Sequence, residues 1–229
     1  MKSSRFIELG IEEEVPVRSF TEPDLSGKDL EIAREKLTQL KAALSLIPEA
    51  PVFPDIRYSS MGNEIIERTV LFRPEKLKRT SLLAGVGFFG QVSPSSTPEI
   101  KTCVWQTDLD LIHSVQKESG FWAYSSMRLP NKIDWGNVAW FVNWQAATDW
   151  LANPLHQYTA RVLAPQHFAT VRIHNFVVDL PIHWVTSLEP EKIRLLTTKY
   201  YDFQEEIPWL AQRNYERASL APRIGSPPM

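Results

Sequence analysis

The 229-residue chain predicts an α+β fold with a central βαββαβ unit. Three observations carry this. Residues 81–178 run strand, helix, strand, strand, helix, strand, judged by the switch between period-2 and period-3.6 apolar spacing. A long amphipathic stripe precedes that unit. Apolar residues make up 43% and charged residues 23%, an ordinary globular composition that suits one decorated domain or two small ones.

Residues 1–28 read as an extended arm. In "SGKDLEIAREKLTQLKAALSLIPEAP", Leu30, Ala33, Leu37, Leu40, Leu44 and Ile47 recur at three- and four-residue steps, one stripe of a helix. Ser26 with Asp29 three later has capping-box spacing at its start, and Pro48 ends it. "PEAPVFPDIRYSSMGN" reads as a proline-punctuated loop. "EIIERTVLFR" (64–73) reads as a strand stopped by Pro74, and "RPEKLKR" (73–79) as a solvated loop or helix end.

"SLLAGVGFFGQV" (81–92) opens the central unit as a strand. Its glycines fall inside an apolar run, not between strand and helix, so they mark close backbone approach, not a phosphate loop. "SPSSTPEIK" reads as a loop. A helix follows from Thr107, with Leu109, Ile112 and Val115 on its apolar face and Gly120 at its end. Then come strands at 121–129 and 137–144, a helix broken at Asn153-Pro154 and ended by Pro165, and a strand at 167–178. In the tail, about 193–201 reads as a strand, followed by a short helical piece and a Pro-rich end. This divides the chain into 1–80 (arm, helix and strand), 81–178 (the βαββαβ domain) and 179–229 (an extension).

The order over 81–178 is ferredoxin-like. Such antiparallel sheets carry helices on one face. The opposite face needs a cover, and a partner chain's sheet supplies one, so a homodimer is expected. A net charge of −2 gives no sign of nucleic-acid or membrane-surface binding. No apolar run approaches the roughly 20 residues of a spanning helix. Cys103 is the single cysteine, which excludes an internal disulfide and a cysteine metal site and fits a cytoplasmic protein. No histidine pair has metal-ligand spacing, and no cofactor is expected.

The aromatic content stands out: eight Trp, with Trp105, Trp122, Trp135, Trp140 and Trp144 close together. Such a cluster is either core or the wall of a cavity for a flat apolar ligand. In "DWLANPLHQY" (149–158), Asn153 suits an N-cap and Pro154 the first helical position. His156 then lies in the first turn, where the helix dipole and burial both favour neutral imidazole. A neutral imidazole can act as general base; it can equally serve only to bond a neighbouring backbone group. Arg172 and His174 alternate on the last strand, a pair able to fix a carboxylate or a phenolate, or to lie on a solvated edge or under the tail. Trp122, Tyr124, Ser126 and Arg128 alternate on the strand at 121–129.

Trp150-Leu-Ala-Asn-Pro154-Leu-His156 resembles the aromatic-x-x-x-Pro-x-His pattern in the second helix of the stress-responsive A/B barrel family, a branch of the dimeric α+β barrel proteins. Members resembling plant polyketide cyclases use the His as general base with a Tyr assisting. The resemblance implies His156 as base. Trp150 stands at the Tyr position and has no hydroxyl; Tyr124 is the candidate to supply one. It further implies a small-molecule enzyme doing metal-free cyclisation, elimination or isomerisation on an apolar, aromatic or polyketide-derived substrate. Trp150 and Trp140 would be walls, and Arg172 and His174 anchors. The alternatives are a non-catalytic dimeric ligand-binding or stress-associated protein, or a monooxygenase-like barrel, with or without haem.

Overall fold

The computed structural model describes residues 6–46, 55–61, 64–115, 120–131 and 133–215. Its elements are β1 (Ile7–Leu9), α1 (Pro23–Leu46), β2 (Asp55–Met61), β3 (Glu64–Leu71), α2 (Pro74–Arg79), β4 (Leu82–Val92) and α3 (Pro98–Ser114). β5 (Phe121–Arg128), β6 (Trp135–Phe141), α4 (Trp144–Leu151), α5 (Pro154–Tyr158), α6 (Ala164–His167), β7 (Phe168–Asp179), β8 (Lys192–Asp202) and β9 (Trp209–Asn214) follow. Among the described residues no helix is long and apolar enough to cross a membrane.

The protein is a mixed α+β structure around one nine-stranded sheet, ordered β1-β9-β8-β7-β4-β6-β5-β3-β2. The four central strands stand in the order β7-β4-β6-β5, each antiparallel to its neighbour. α3 connects β4 to β5, and the segment α4–α6 connects β6 to β7. β8 and β9 extend the sheet on one side and β3 and β2 on the other. β1, β2 and β9 were not expected as strands. The prolines of the expected loop all precede β2, and β9, after a bend at 204–207, stands where a short helical piece was expected.

Alternation along β6 shows the two faces. Val138 and Trp140 pack with Leu37, Leu40 and Leu44 of α1. Ala139 and Phe141 pack with Leu111 and Ile112 of α3 and with Ala147 and Trp150 of α4. The cover expected from a partner chain is therefore α1 itself, which lays its buried stripe of Ala33, Leu37, Leu40 and Leu44 on the face opposite α3. This removes the packing reason for a homodimer. Ile47 and Pro48 lie outside the described residues.

Ser26 and Asp29 do not cap α1, because the helix starts earlier, at Pro23. α3 also starts ahead of expectation. Thr97 is its N-cap, accepting from the Ile100 N–H at 3.4 Å, and Pro98 takes the first position. Thr107 is thus buried mid-helix. The strand glycines behave as expected: a Cβ on Gly85 would lie 2.1 Å from Phe176 Cε2, and one on Gly90 2.4 Å from Phe168 Cδ1. A register shift between Phe121 and Ala123 rotates Trp122 away from Tyr124. Trp122 joins the α1-side core and Tyr124 the α3-side core, so the expected Trp122–Tyr124–Ser126 face is broken at its first member.

Candidate functional site

The α3 side of the sheet holds a buried polar cluster in an otherwise apolar layer. Arg68 and Val70 of β3 and Phe72 just after it alternate, all three toward α3. Register places Arg68 opposite Ser126 on β5, and Ser126 opposite Asn137 on β6. From above, α3 lowers Trp105 and Asp108, three residues apart on one helix face. Asp108 Oδ1 accepts from the Tyr124 hydroxyl, and Oδ2 accepts from Ser126 Oγ at 3.2 Å. Arg68 Nη2 lies 3.2 Å from Asp108 Oδ2. The guanidinium carbon sits 4.4 Å from the centre of the Trp105 ring, a cation–π contact. Trp105 is half-buried and meets Trp135 edge-on at 5.4 Å. The Trp135 indole N–H donates to Asn137 Oδ1.

Arg68 is 0% exposed, yet none of its three guanidinium nitrogens has a hydrogen-bond partner among the described residues. Among the described residues, the carboxylate within ionic reach of it is that of Asp108. Burial pushes the Asp108 carboxyl above its ordinary range, against the pull of Arg68 and the hydrogen bonds from Tyr124 and Ser126. Burial and the neighbouring Asp108 raise Tyr124 well above the usual phenol value. The cluster thus combines a fixed buried cation, a carboxyl inclined to hold its proton, and a phenol that keeps its own. Those parts can stabilise developing negative charge on a bound molecule and exchange a proton with it.

His156 stands on the same side. Asn153 Oδ1 accepts from the N–H groups of Leu155 at 3.0 Å and His156 at 3.3 Å, the N-cap expected for α5. The imidazole is half-buried, 4.9 Å from the Trp150 ring, and its Nδ1 is buried without a partner among the described residues. Burial lowers its pKa to about 4, so it is neutral at pH 7. Trp150 in turn packs on Phe121 at 5.1 Å, and Phe121 on Tyr124 at 6.2 Å. The helix does not run on evenly past α5. A π-helical turn (Thr159–Leu163) intervenes, in which the Ala164 N–H bonds to Thr159 O. Pro165 has no N–H to maintain ordinary α pairing.

The sequence-predicted residues do not form one site. Tyr124, Trp150 and His156 lie on the α3 side. Trp140, Arg172 and His174 lie across the sheet, under α1. Trp140 is fully buried against Phe176. Arg172 and His174 do hold a carboxylate, but it is Asp29 of α1. Arg172 donates from Nε at 2.6 Å and Nη2 at 3.0 Å, and His174 from Nε2 at 2.8 Å. A carboxylate only accepts, so the His174 proton sits on Nε2, and Nδ1 accepts from the Thr198 hydroxyl at 2.8 Å. Burial tends to raise Asp29, but the bonds from His174 and Arg172 outweigh it and hold the carboxyl below its ordinary range. His174 is lowered by burial, which outweighs Asp29.

Two surface depressions are lined by residues of 14–22 and by the outer face of α3 (Pro98, Thr102, Cys103, Gln106); neither includes His156 or Arg68. Arg68 and Asp108 were not singled out from the sequence, and Trp105 entered only as one of the clustered tryptophans. The signal was there once α3 is taken from Pro98: Trp105, Asp108, Ile112 and Val115 fall at three- and four-residue steps, which puts one carboxylate in an apolar stripe.

No family model matches the chain, and no curated protein matches it. Two solved structures are similar over 43% of the chain. The protein SO0527 from Shewanella oneidensis is 13% identical, with a TM-score of 0.37 over 92% of its own chain. SnoaB, a cofactor-independent oxygenase from Streptomyces nogalater, is 14% identical, with a TM-score of 0.31 over 91% of its own chain.

Proposed function

We propose that the protein handles a small molecule on the α3 side of its sheet and does metal-free acid–base chemistry there. The central strands, in the order β7-β4-β6-β5, form a ferredoxin-like βαββαβ unit on this reading. Asp108 exchanges the proton, Tyr124 keeps its own and orients Asp108 by donating to it, Arg68 stabilises negative charge on the bound molecule, and His156 beside Trp150 is a second, uncharged proton acceptor on the same face. Trp140, Arg172 and His174 play no part in binding, since the packing of α1 engages them.

The observation that carries this is Arg68. A buried guanidinium whose donors lack acceptors costs folding free energy, and such groups in native proteins usually serve a ligand, an ion or ordered water. A second reading, a non-catalytic protein with a filled interior, is favoured by the His156 ring lying against Trp150 and by the two depressions lying elsewhere.

A thermal-shift screen of small metabolites separates the two, run on the wild type and on Arg68→Met combined with Asp108→Asn. Removing both charges together spares the fold. The proposal expects a compound that raises the wild-type Tm with concentration and leaves the double variant unmoved. Equal protection of both proteins would place binding elsewhere, and protection of neither would favour the filled interior.

A further inference from the structure

Resting on the small-molecule reading just given, we infer that the ligand carries a planar carboxylate, that it is gripped by Arg68, and that Trp105 is the movable cover over that grip. The guanidinium is a rigid fork of donors whose geometry matches a carboxylate through two parallel bonds. Nη2 faces Asp108, whereas Nε and Nη1 are buried with no acceptor among the described residues. The parallel pairs of a guanidinium are Nε with Nη2 and Nη1 with Nη2; Nη2 carries two hydrogens and makes no hydrogen bond to Asp108, so one of them can join Nε or Nη1 on an incoming carboxylate.

The surroundings select for shape as well as charge. The half-buried Trp105 ring lies over the guanidinium at 4.4 Å and borders Trp135. The two indoles stand nearly perpendicular, at 86°, and form an apolar corner that can border a conjugated or aromatic body. Arg68 is 0% exposed and Trp105 is the half-buried described side chain over its guanidinium, so on this proposal Trp105 moves to admit the ligand. Its contacts make that feasible, since a cation–π contact and an edge contact are each weaker than a charge-assisted hydrogen-bonded pair. A carboxylate replaces the cation–π contact with charge-assisted hydrogen bonds, a stronger interaction in a buried setting. Asp108 does not compete fully for the fork, because its oxygens also accept from Tyr124 and Ser126. Its raised pKa reduces the negative charge already beside Arg68.

The test is calorimetric titration of the full chain with sodium benzoate and with benzamide, its uncharged counterpart of the same shape. Benzoate is expected to bind at one site per chain, and benzamide at least about tenfold more weakly. Arg68→Lys keeps the charge but loses the fork, and it should weaken benzoate by about tenfold or more. The Arg68→Met/Asp108→Asn variant should abolish binding while circular dichroism shows a folded protein. Trp105→Ala should speed benzoate association in stopped-flow mixing; an unchanged or slower rate overturns the cover. Equal affinity for benzoate and benzamide, abolished by the double variant, keeps the small-molecule site and overturns the carboxylate. Silence of both ligands up to about 50 mM, on wild type and on Trp105→Ala alike, overturns the carboxylate grip; the metabolite screen then decides the broader reading by itself.

Discussion

Replacing Asp29 tests the use that the fold makes of Arg172 and His174. The carboxylate is 4% exposed and accepts three charge-assisted bonds, two from Arg172 and one from His174. Asp29→Ala leaves a largely buried guanidinium and a fully buried imidazole N–H with no acceptor. Removing one partner of a buried pair costs about 3–5 kcal/mol. The Arg172 side chain is 14% exposed and recovers some hydration, so the lower end, about 3 kcal/mol, is expected. Asp29→Asn keeps the shape and one carbonyl acceptor and should cost less, about 1.5–2 kcal/mol. Urea unfolding at pH 7 gives both values, as a lower midpoint at unchanged slope. The sign with pH follows from the lowered carboxyl. Its contribution is present above pH 3.8 and is lost as pH falls through its depressed folded value, so the gap between wild type and Asp29→Asn closes only in strong acid. A cost below about 1 kcal/mol for Asp29→Ala would refute the clamp, because an exposed pair is worth no more than that.

Other consequences are as direct. NMR titration should find His156 changing charge near pH 4; a midpoint near 6.5 would mean the ring is solvated. Because its folded value is depressed, the stability linked to neutral His156 is present above pH 6.5 and lost on acidification toward pH 4, so His156→Phe should flatten that part of the pH profile. Gly85→Ala puts a methyl 2.1 Å from Phe176 Cε2 and should destabilise by about 1–3 kcal/mol, read as a lower Tm; a neutral result would show that Phe176 moves freely.

Much of the sheet could be read from period-2 runs bounded by Gly, Pro and Asn: β3 through β8 lie within a few residues of expectation. The long stripe of α1 was equally legible, but its partner was not. Nothing in Leu37 or Leu40 says which sheet face they meet, so a second chain was expected where α1 itself packs. Three-residue β1 is too short to show any period, and Trp209–Asn214 became β9 only by pairing with β8. The site divided along the same line. Local chemistry at Asn153, Pro154 and His156 was readable because an N-cap is a local device. Arg172 and His174 were read as anchors for a ligand's carboxylate or phenolate, whereas the carboxylate they hold is that of Asp29, over 140 positions away. Arg68 and Asp108 sit 40 positions apart and meet only because β3 joins the sheet beside β5. Pairings of that kind belong to topology, not to any local pattern.

The most direct test of a ligand site on the α3 side is the indole N–H spectrum during benzoate titration. Eight tryptophans give eight signals, assignable by single Trp→Phe variants. The Trp105 signal should move first, with smaller shifts at Trp135, while Trp140 and Trp184, packed beneath α1, stay in place. Movement of Trp140 or Trp184 with Trp105 unmoved would put the ligand on the wrong side of the sheet and contradict the proposed function.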